Sequence, residues 1–183
     1  MFSESFELAW KKTKKHEGGY VNDKDDSGGA TNWGISLRFV KAEGIELDLD
    51  GDGDIDKEDM KALKEVKAKE IYHKYFWERG NYDQIDNIDV AGKLFDMAVN
   101  MGARQAHKLA QRACHDCGNI YLQADGILGT KSRGAINGID TEKYLTKLRK
   151  RHAGFYEQIA EKNPKLKKFL KGWLKRAEQW VKN

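Results

Sequence analysis

Two carboxylic acids and a hydroxyl near the start of the chain have the types and spacing that acid–base chemistry needs. Glu17 ends an amphipathic helical pattern, Asp26 follows nine positions later, and Thr31 comes five positions after that. Hydrolysis of a glycosidic bond needs one acid that protonates the leaving oxygen and a second group that attacks the sugar or activates a water. By chemistry alone the two acids could also be a solvated helix-end charge and a turn former. We treat all three as candidate catalytic residues.

The elements that must position these residues are mainly helical. Apolar residues recur at three- and four-residue steps, the pattern of amphipathic helices, whereas residues 22–36 are polar and rich in glycine. The stretch 30–36 is predicted to be irregular chain or a short β-ribbon, which suits a catalytic loop. Helices are predicted at 2–16, 37–42, 57–77, 88–115, from 130, at 141–161 and at 164–182.

An acidic segment from Asp48 to Asp59 has the ligand spacing of an EF-hand calcium loop. Ca²⁺ takes about six to eight oxygen ligands, and a glycine at the sixth position, here Gly53, permits the sharp turn. Asp59 replaces the usual long glutamate, as in the dockerin variant, which predicts weaker binding. Because sensor loops normally occur in pairs, one loop favours a structural calcium ion, with activation by calcium as the alternative. The predicted ligands are Asp48, Asp50, Asp52, Asp54 through its carbonyl, Asp56 and Asp59.

The charge of the chain is segregated. The formal net charge is +4, and without the seven acids of the acidic segment the rest carries +11. Such an excess favours a polyanionic partner, such as teichoic acid, lipopolysaccharide or nucleic acid. No nucleic-acid reading motif accompanies it, so we expect no nucleic acid. We find neither a signal peptide nor an apolar run long enough to span a membrane. Synthesis in a cytoplasm is therefore expected, and any partner outside the cell membrane must be reached without a signal of the chain's own.

Cys114 and Cys117 form a single C-x-x-C pattern, with His115 between them and His107 upstream. A structural zinc site needs four ligands in a recognised spacing, and a redox pair is expected near a βαβ pattern, which is not seen. Two reduced thiols on a helix are the simpler interpretation.

The residues around the candidate acids resemble a known family. His16-Glu17-Gly18-Gly19-Tyr20 and the stretch from Asp26 to Ser36 are similar to the N-terminal signature of glycoside hydrolase family 108. This family contains N-acetylmuramidases, found as phage endolysins and as bacterial secretion activators. The resemblance implies that Glu17 is the catalytic acid and supports Asp26 and Thr31 as its partners. Ser27 stands where many relatives have proline, which changes the loop and not the acid.

The resemblance extends over nearly the whole chain. It continues through the stretch from Ile71 to Trp77 and then through a region similar to the family's C-terminal peptidoglycan-binding domain. It implies a lysozyme-like helical fold. We predict a catalytic lobe at 1–87, a helical peptidoglycan-binding-like lobe at 88–183 packed against it, and a monomer. The activity that the resemblance implies is cleavage of the MurNAc-GlcNAc β-1,4 bond of peptidoglycan in the periplasm or cell wall, which lyses a bacterial host.

Aromatic and cationic residues suggest further contacts. An aromatic ring offers an apolar platform for a sugar face, although such residues are as often part of the core. The final helix is cationic and amphipathic, which indicates packing on the domain or contact with anionic lipopolysaccharide of an outer membrane. The predicted substrate-binding residues are Tyr20, Trp33, Tyr72, Tyr75, Trp77 and Asn100.

Three other classes of protein stay open. A lytic transglycosylase would use the same acid without a second carboxylate and would leave anhydro-muramic ends. A non-catalytic peptidoglycan-binding secretion accessory protein would lack Glu17, which this chain retains. A nucleic-acid binder would reveal itself by a salt-sensitive gel shift.

Overall fold

A computed structural model describes residues 1–16, 18–22 and 29–180, which divide into two compact units. We call Trp10–Lys74 the loop unit, and Met1–Ala9 with Tyr75–Asn183 the helical unit. The division predicted between residues 87 and 88 lies elsewhere, because aromatic residues before that point pack within the helical unit. Among the described residues, no helix is long and apolar enough to cross a membrane.

The loop unit is built from short elements. In chain order they are α1 (Glu4–Thr13, from Trp10 onward), a 3-10 turn (Lys14–His16), β1 (Thr31–Asn32), β2 (Ile35–Ser36), α2 (Leu37–Ala42), α3 (Lys57–Ala62) and α4 (Glu65–Tyr72). The predicted β-ribbon is confirmed. The single helix predicted at 57–77 is wrong, because the backbone is extended at Leu63 and Lys64, with ψ of 116° and 158°. Two side chains bind the Leu63 carbonyl, which the extended backbone makes accessible to them.

The β-ribbon turns through two residues. Thr31 pairs with Ser36 and Asn32 with Ile35, so that Trp33 and Gly34 alone form the turn. Their φ angles are 52° and 72°, the positive values that a type I′ hairpin turn requires at both positions. A side chain other than glycine is unfavourable there, by roughly 1–2 kcal/mol. Contacts elsewhere in the unit must therefore hold Trp33 in place.

The helical unit consists of longer elements around one apolar core. In chain order they are the first part of α1, a π-helical segment (His73–Glu78, from Tyr75 onward), a 3-10 turn (Tyr82–Gln84), α5 (Ile88–Met101), α6 (Ala103–Asp116), α7 (Thr130–Asn137), α8 (Thr141–Lys162), a 3-10 turn (Pro164–Leu166) and α9 (Lys167–Ala177). Phe6, Trp77 and Phe95 form an aromatic cluster with ring centroids 5.5–5.9 Å apart. This cluster explains why residues 75–87 belong with the later helices.

A glycine divides the helix predicted at 88–115. Gly102 has φ of 85° and ψ of 142°, a conformation that glycine adopts far more readily than other residues. The chain therefore ends α5 at Met101 and starts α6 at Ala103 in a new direction. The periodic apolar pattern continues across the break, which is why the pattern alone predicted one helix.

Buried charges join α5 to α9. The Asp96 carboxylate accepts hydrogen bonds from the Arg176 guanidinium at 2.9–3.2 Å, and their side chains are 1% and 10% exposed. The buried Lys93 ammonium donates to the carbonyls of Arg176 and Ala177, at 3.2 and 2.8 Å. These carbonyls end α9, where a cation is favourable. Burial lowers the pKa of Lys93 to about 8, an effect that Asp96 opposes.

Candidate active site and acidic loop

Glu17 and Asp26, the two candidate acids, lie outside the described residues. The residues on either side of them are described. The 3-10 turn Lys14–His16 leads directly to position 17, and Gly18, Gly19 and Tyr20 follow it on the surface. What the structure contributes to the candidate site is therefore the framework that carries these flanking residues.

The end of α1 is tied to α4 through one carboxylate. The Lys14 ammonium lies 2.5 Å from Oε1 of Glu65, and the Trp10 indole N–H donates to the same oxygen at 3.4 Å. The Trp10 ring also packs against Tyr72, with centroids 5.1 Å apart. The hydrogen bond from Lys14 lowers the pKa of Glu65, so this acid stays ionised near neutral pH. The chain thus enters position 17 from an anchored helix end.

The β-hairpin is tied to the same helix and to the segment before it. The Tyr72 hydroxyl donates to the Trp33 carbonyl at 2.9 Å, and the Trp33 indole N–H donates to the Leu63 carbonyl at 3.1 Å. The buried Asn32 amide donates to the carbonyls of Met60 and Leu63, at 2.8 and 3.3 Å. These bonds hold the hairpin turn in its unfavourable conformation.

The supporting roles of Asn32 and Glu65 were not predicted from the sequence. A single polar residue in a sequence does not reveal the distant carbonyl or cation that it binds.

Thr31 lies at the start of β1, beside the chain that precedes residues 23–28. Its backbone N–H donates to the Val21 carbonyl at 2.7 Å, and its carbonyl accepts from the Val21 N–H at 2.8 Å. Its hydroxyl donates weakly to the Gly29 carbonyl at 3.4 Å. The bridge joins the described residues on both sides of the segment that contains Asp26. Thr31 is therefore the one candidate catalytic residue among those described, and it is only partly buried.

The predicted substrate-binding residues have different environments. Tyr20 is 37% exposed and Trp33 is partly exposed, so both rings are accessible in the loop unit. Tyr72 and Trp77 are 1% and 0% exposed. Both side chains are therefore part of the core, which corrects the prediction that these two rings stack directly on a sugar.

The other two predicted substrate-binding residues belong to the helical unit. Tyr75 is partly buried beneath the Arg79 guanidinium, which lies 4.9 Å from the ring centroid. Asn100 is exposed and accepts a hydrogen bond from the Tyr156 hydroxyl. Their contact with substrate stays a prediction.

The acidic loop brings its carboxylates into two groups. Within each group the carboxylate oxygens lie within 4.8 Å of one another. Asp48 accepts from the amides of Gly51 and Gly53, at 2.7 and 3.1 Å, which folds the loop back on its first residue. One group is exposed and the other is progressively buried; they are Asp48, Asp50 and Asp52, and Asp54, Asp56 and Asp59.

The last acid of the loop is bonded to both of its ends. Asp59 is fully buried, and its two oxygens accept from the amides of Leu49 at 2.6 Å and Asp56 at 2.8 Å. The amide of Asp56, followed by that of Leu49, lowers the pKa of Asp59. The neighbouring Asp52 carboxylate instead raises the pKa of Asp54 by like-charge repulsion. Carboxylate oxygens are the donors that Ca²⁺ prefers, so the residues present fit that ion.

In the helical unit, a buried amide organises the loop between α6 and α7. The Gln111 side chain donates to Asp125 at 2.8 Å and to the Ile127 carbonyl at 3.1 Å, and accepts from the Gly126 amide at 2.8 Å. The loop leaves Tyr121 and Ile127 on the surface, 94% and 69% exposed.

Two family models match the chain, and they meet near the break between α5 and α6 rather than at the boundary between the two units. Residues 10–102 match the model of glycosyl hydrolase 108. The chain belongs to this family. Residues 105–178 of this family member match a second model, described as a predicted peptidoglycan domain.

The family member is also similar to a solved structure, that of Brucella abortus SagA. The identity is 26% and the TM-score is 0.73, over 96% of this chain and 91% of that one. No curated protein sequence matches the chain. The resemblance stated from the motifs is therefore confirmed, and the mainly helical fold is consistent with the lysozyme-like fold that it implied.

Two further expectations concern the helical unit of this glycosyl hydrolase 108 member. Burial raises the pKa of the Cys114 thiol to about 12, which keeps it protonated near neutral pH, and the interpretation of Cys114 and Cys117 as reduced thiols stays a prediction. Helix α9 packs on α8, where the Trp173 and Tyr156 rings stack 5.0 Å apart. Phe169 and the lysines of α9 stay on the surface, so contact with lipopolysaccharide stays a prediction.

Proposed function

We propose that the chain is a peptidoglycan hydrolase that cleaves the MurNAc-GlcNAc β-1,4 bond and lyses bacterial cells, as phage endolysins do. Glu17 donates its proton to the glycosidic oxygen as the bond to the anomeric carbon breaks. Water supplies the hydroxyl that the anomeric carbon gains, and Asp26 serves as the second carboxylate. The Thr31 hydroxyl orients the water or the sugar beside it.

The observation that carries this proposal is the shared framework of α1 and the hairpin. Lys14 and Trp10 bind Glu65 of α4, three and seven positions before Glu17. Tyr72 of the same helix binds Trp33, two positions after Thr31. A catalytic acid and its partner must keep their separation, and rigid supports are what hold such geometry. One helix thus supports both ends of the candidate site.

The described carboxylates near this framework are poorly suited to the acid role. A general acid must be protonated near the working pH. Glu65 is paired with Lys14, which lowers its pKa, and Asp59 is held ionised by backbone amides. Glu17, which the family motif contains, is the better candidate.

The test compares Glu17→Gln with the unmodified chain and with Glu157→Gln, an exposed control on α8. The amide keeps the shape and loses the proton, so Glu17→Gln should lower release of reducing ends from purified sacculi by about a hundredfold or more. Thermal unfolding should not change, and the control should retain full activity. Asp26→Asn should be severely impaired. If Glu17→Gln keeps more than about a tenth of the rate, Glu17 is not the acid.

The products distinguish the alternatives. Anhydro-muramic ends would identify a lytic transglycosylase in place of a hydrolase. Binding to sacculi without release of any fragment, by the unmodified chain, would identify a non-catalytic accessory protein. Reducing muramic acid ends would support the muramidase.

We further propose that the acidic loop binds one structural Ca²⁺. The carboxylates of Asp48, Asp50, Asp52, Asp56 and Asp59 and the Asp54 carbonyl would hold it, and the ion would neutralise the repulsion that raises the pKa of Asp54. Asp59 bonds to the amides of Leu49 and Asp56 and so couples any bound ion to both ends of the loop.

A further inference from the structure

A groove of about 600 Å³ lies between α6 and α8 in the helical unit. Its residues follow helical spacing on each side, so that one face of each helix forms one wall. All of them fall within the segment that matches the peptidoglycan domain. They are Gln105, Leu109, Arg112, Asp116, Lys147, Lys150, Arg151, Gly154, Phe155 and Gln158.

The groove is cationic. Four basic residues and one acid line it. Asp116 is engaged by Arg151, whose Nε donates to it at 2.6 Å, and this pairing fixes the guanidinium at the wall. Within the described part of the chain, no carboxylate forms an ion pair with Arg112, Lys147 or Lys150. The groove therefore has three cations available to an anionic ligand.

A glycine keeps the groove open. Gly154 lies within α8, where glycine weakens a helix relative to alanine. A Cβ atom added there would meet no heavy atom within 4 Å, so packing does not require glycine at this position. A side chain at position 154 would instead project into the groove. Beside it, the partly buried Phe155 offers an apolar surface.

We propose that this groove binds the peptide stems of peptidoglycan through their carboxylates, an inference that rests on the proposed action on peptidoglycan. Arg112, Lys147 and Lys150 would pair with the carboxylates. The amides of Gln105 and Gln158 match the N–H and C=O groups of a peptide, which a phosphate polymer lacks. The groove would thus hold the wall by its peptides while the loop unit acts on the glycan.

The experiment measures binding to purified Gram-negative sacculi, which contain no teichoic acid, in the Glu17→Gln background to prevent digestion. Lys147→Glu with Lys150→Glu should weaken binding by about tenfold, since reversed charges repel the carboxylates. Lys131→Glu with Lys165→Glu makes the same change of net charge at exposed positions outside the groove, and should bind normally. Conversion of the sacculus carboxylates to amides should weaken the binding of the Glu17→Gln protein by a similar factor. It should also remove the difference in binding between the two charge variants.

A second pair of variants leaves the charge unchanged. Gly154→Leu should fill the groove and weaken binding several-fold, whereas Gly172→Leu, at an open glycine of α9, should not. Leucine favours a helix over glycine, so neither variant should unfold.

Equal binding by the groove and control variants, or undiminished binding to amidated sacculi, overturns the proposal. Groove-dependent binding to a glycerol phosphate polymer that exceeds binding to sacculi would assign the groove to phosphate instead. Release of reducing ends is scored separately, so failure of the muramidase proposal is distinguishable.

Discussion

Among the described residues of the loop unit the longest complete helix has eight residues, Glu65–Tyr72, whereas α8 of the helical unit has 22. Helices as short as α4 are not stable on their own. Side-chain hydrogen bonds to distant backbone groups instead hold the loop unit, as those of Asn32, Trp33 and Tyr72 do. The helical unit relies on helix packing and on the buried charges of Lys93, Asp96 and Arg176.

This difference fits the functions proposed for the two units. A catalytic loop needs irregular backbone, and irregular backbone needs individual polar partners. A wall-binding surface needs only two long helices with a cationic face between them. The loop unit should therefore be sensitive to removal of the proposed calcium ion, and the helical unit to loss of its buried charges.

The largest effect on stability is expected in the helical unit. Arg176→Met leaves Asp96 as a buried charge without its main partner, which should cost about 3–5 kcal/mol in the free energy of unfolding. Arg151→Met removes a similar pair whose side chains are 42% and 26% exposed, and should cost at most about 1 kcal/mol. Chemical denaturation of both variants measures the difference. Equal losses would mean that burial of the Asp96 pair adds nothing to its stability.

Removal of calcium should act on the other unit. At a hundredfold excess over its dissociation constant, a bound ion stabilises the fold by about 2.7 kcal/mol, which chelation should remove. Hydrogen exchange should accelerate in the acidic loop and α3 and stay unchanged in α8. In Asp48→Ala, chelation should have no further effect.

An activity titration sharpens the calcium result. If hydrolysis is independent of calcium well below the unfolding temperature, the ion is structural. A rate that rises with calcium on the same chelator-stripped protein would support activation, and a melting curve unchanged by chelator would remove the calcium proposal.

A smaller effect on stability than that of calcium removal is expected from the titration of His152. This residue is fully buried, and within the described residues neither ring nitrogen has a hydrogen-bond partner. Burial, with Lys93 and Arg176 nearby, lowers its pKa to about 2. The folded state keeps the ring neutral, whereas the unfolded chain binds a proton below about pH 6.5. The free energy of unfolding therefore decreases as the pH is lowered.

The resulting loss should be about 2 kcal/mol between pH 7 and pH 5, and His152→Phe should remove that part of it. His107, whose pKa burial also lowers, contributes in the same direction and remains as a background in both proteins. Denaturant unfolding at both pH values measures the loss. The same pH dependence in the variant would show that His152 is not its source.

Much of the framework could be predicted from local pattern. The limits of α8 differ from the prediction at 141–161 by one residue, and the hairpin was expected from the polar, glycine-rich stretch before α2. The helix breaks at Gly102 and Leu63 were missed. The first depends on one backbone conformation and the second on the side chains of Asn32 and Trp33, which lie some thirty positions earlier.

The sequence by itself determined the family, the helical periodicity and the acidic loop, because each depends on residues that are near one another in the chain. Tertiary structure alone decided that Tyr72 and Trp77 are core residues, whereas Trp33 and Tyr20 remain accessible. It also decided that α6 and α8 enclose a cationic groove. Burial and enclosure depend on which distant segments meet, and helix hydrogen bonds, which join residues four positions apart, do not specify that.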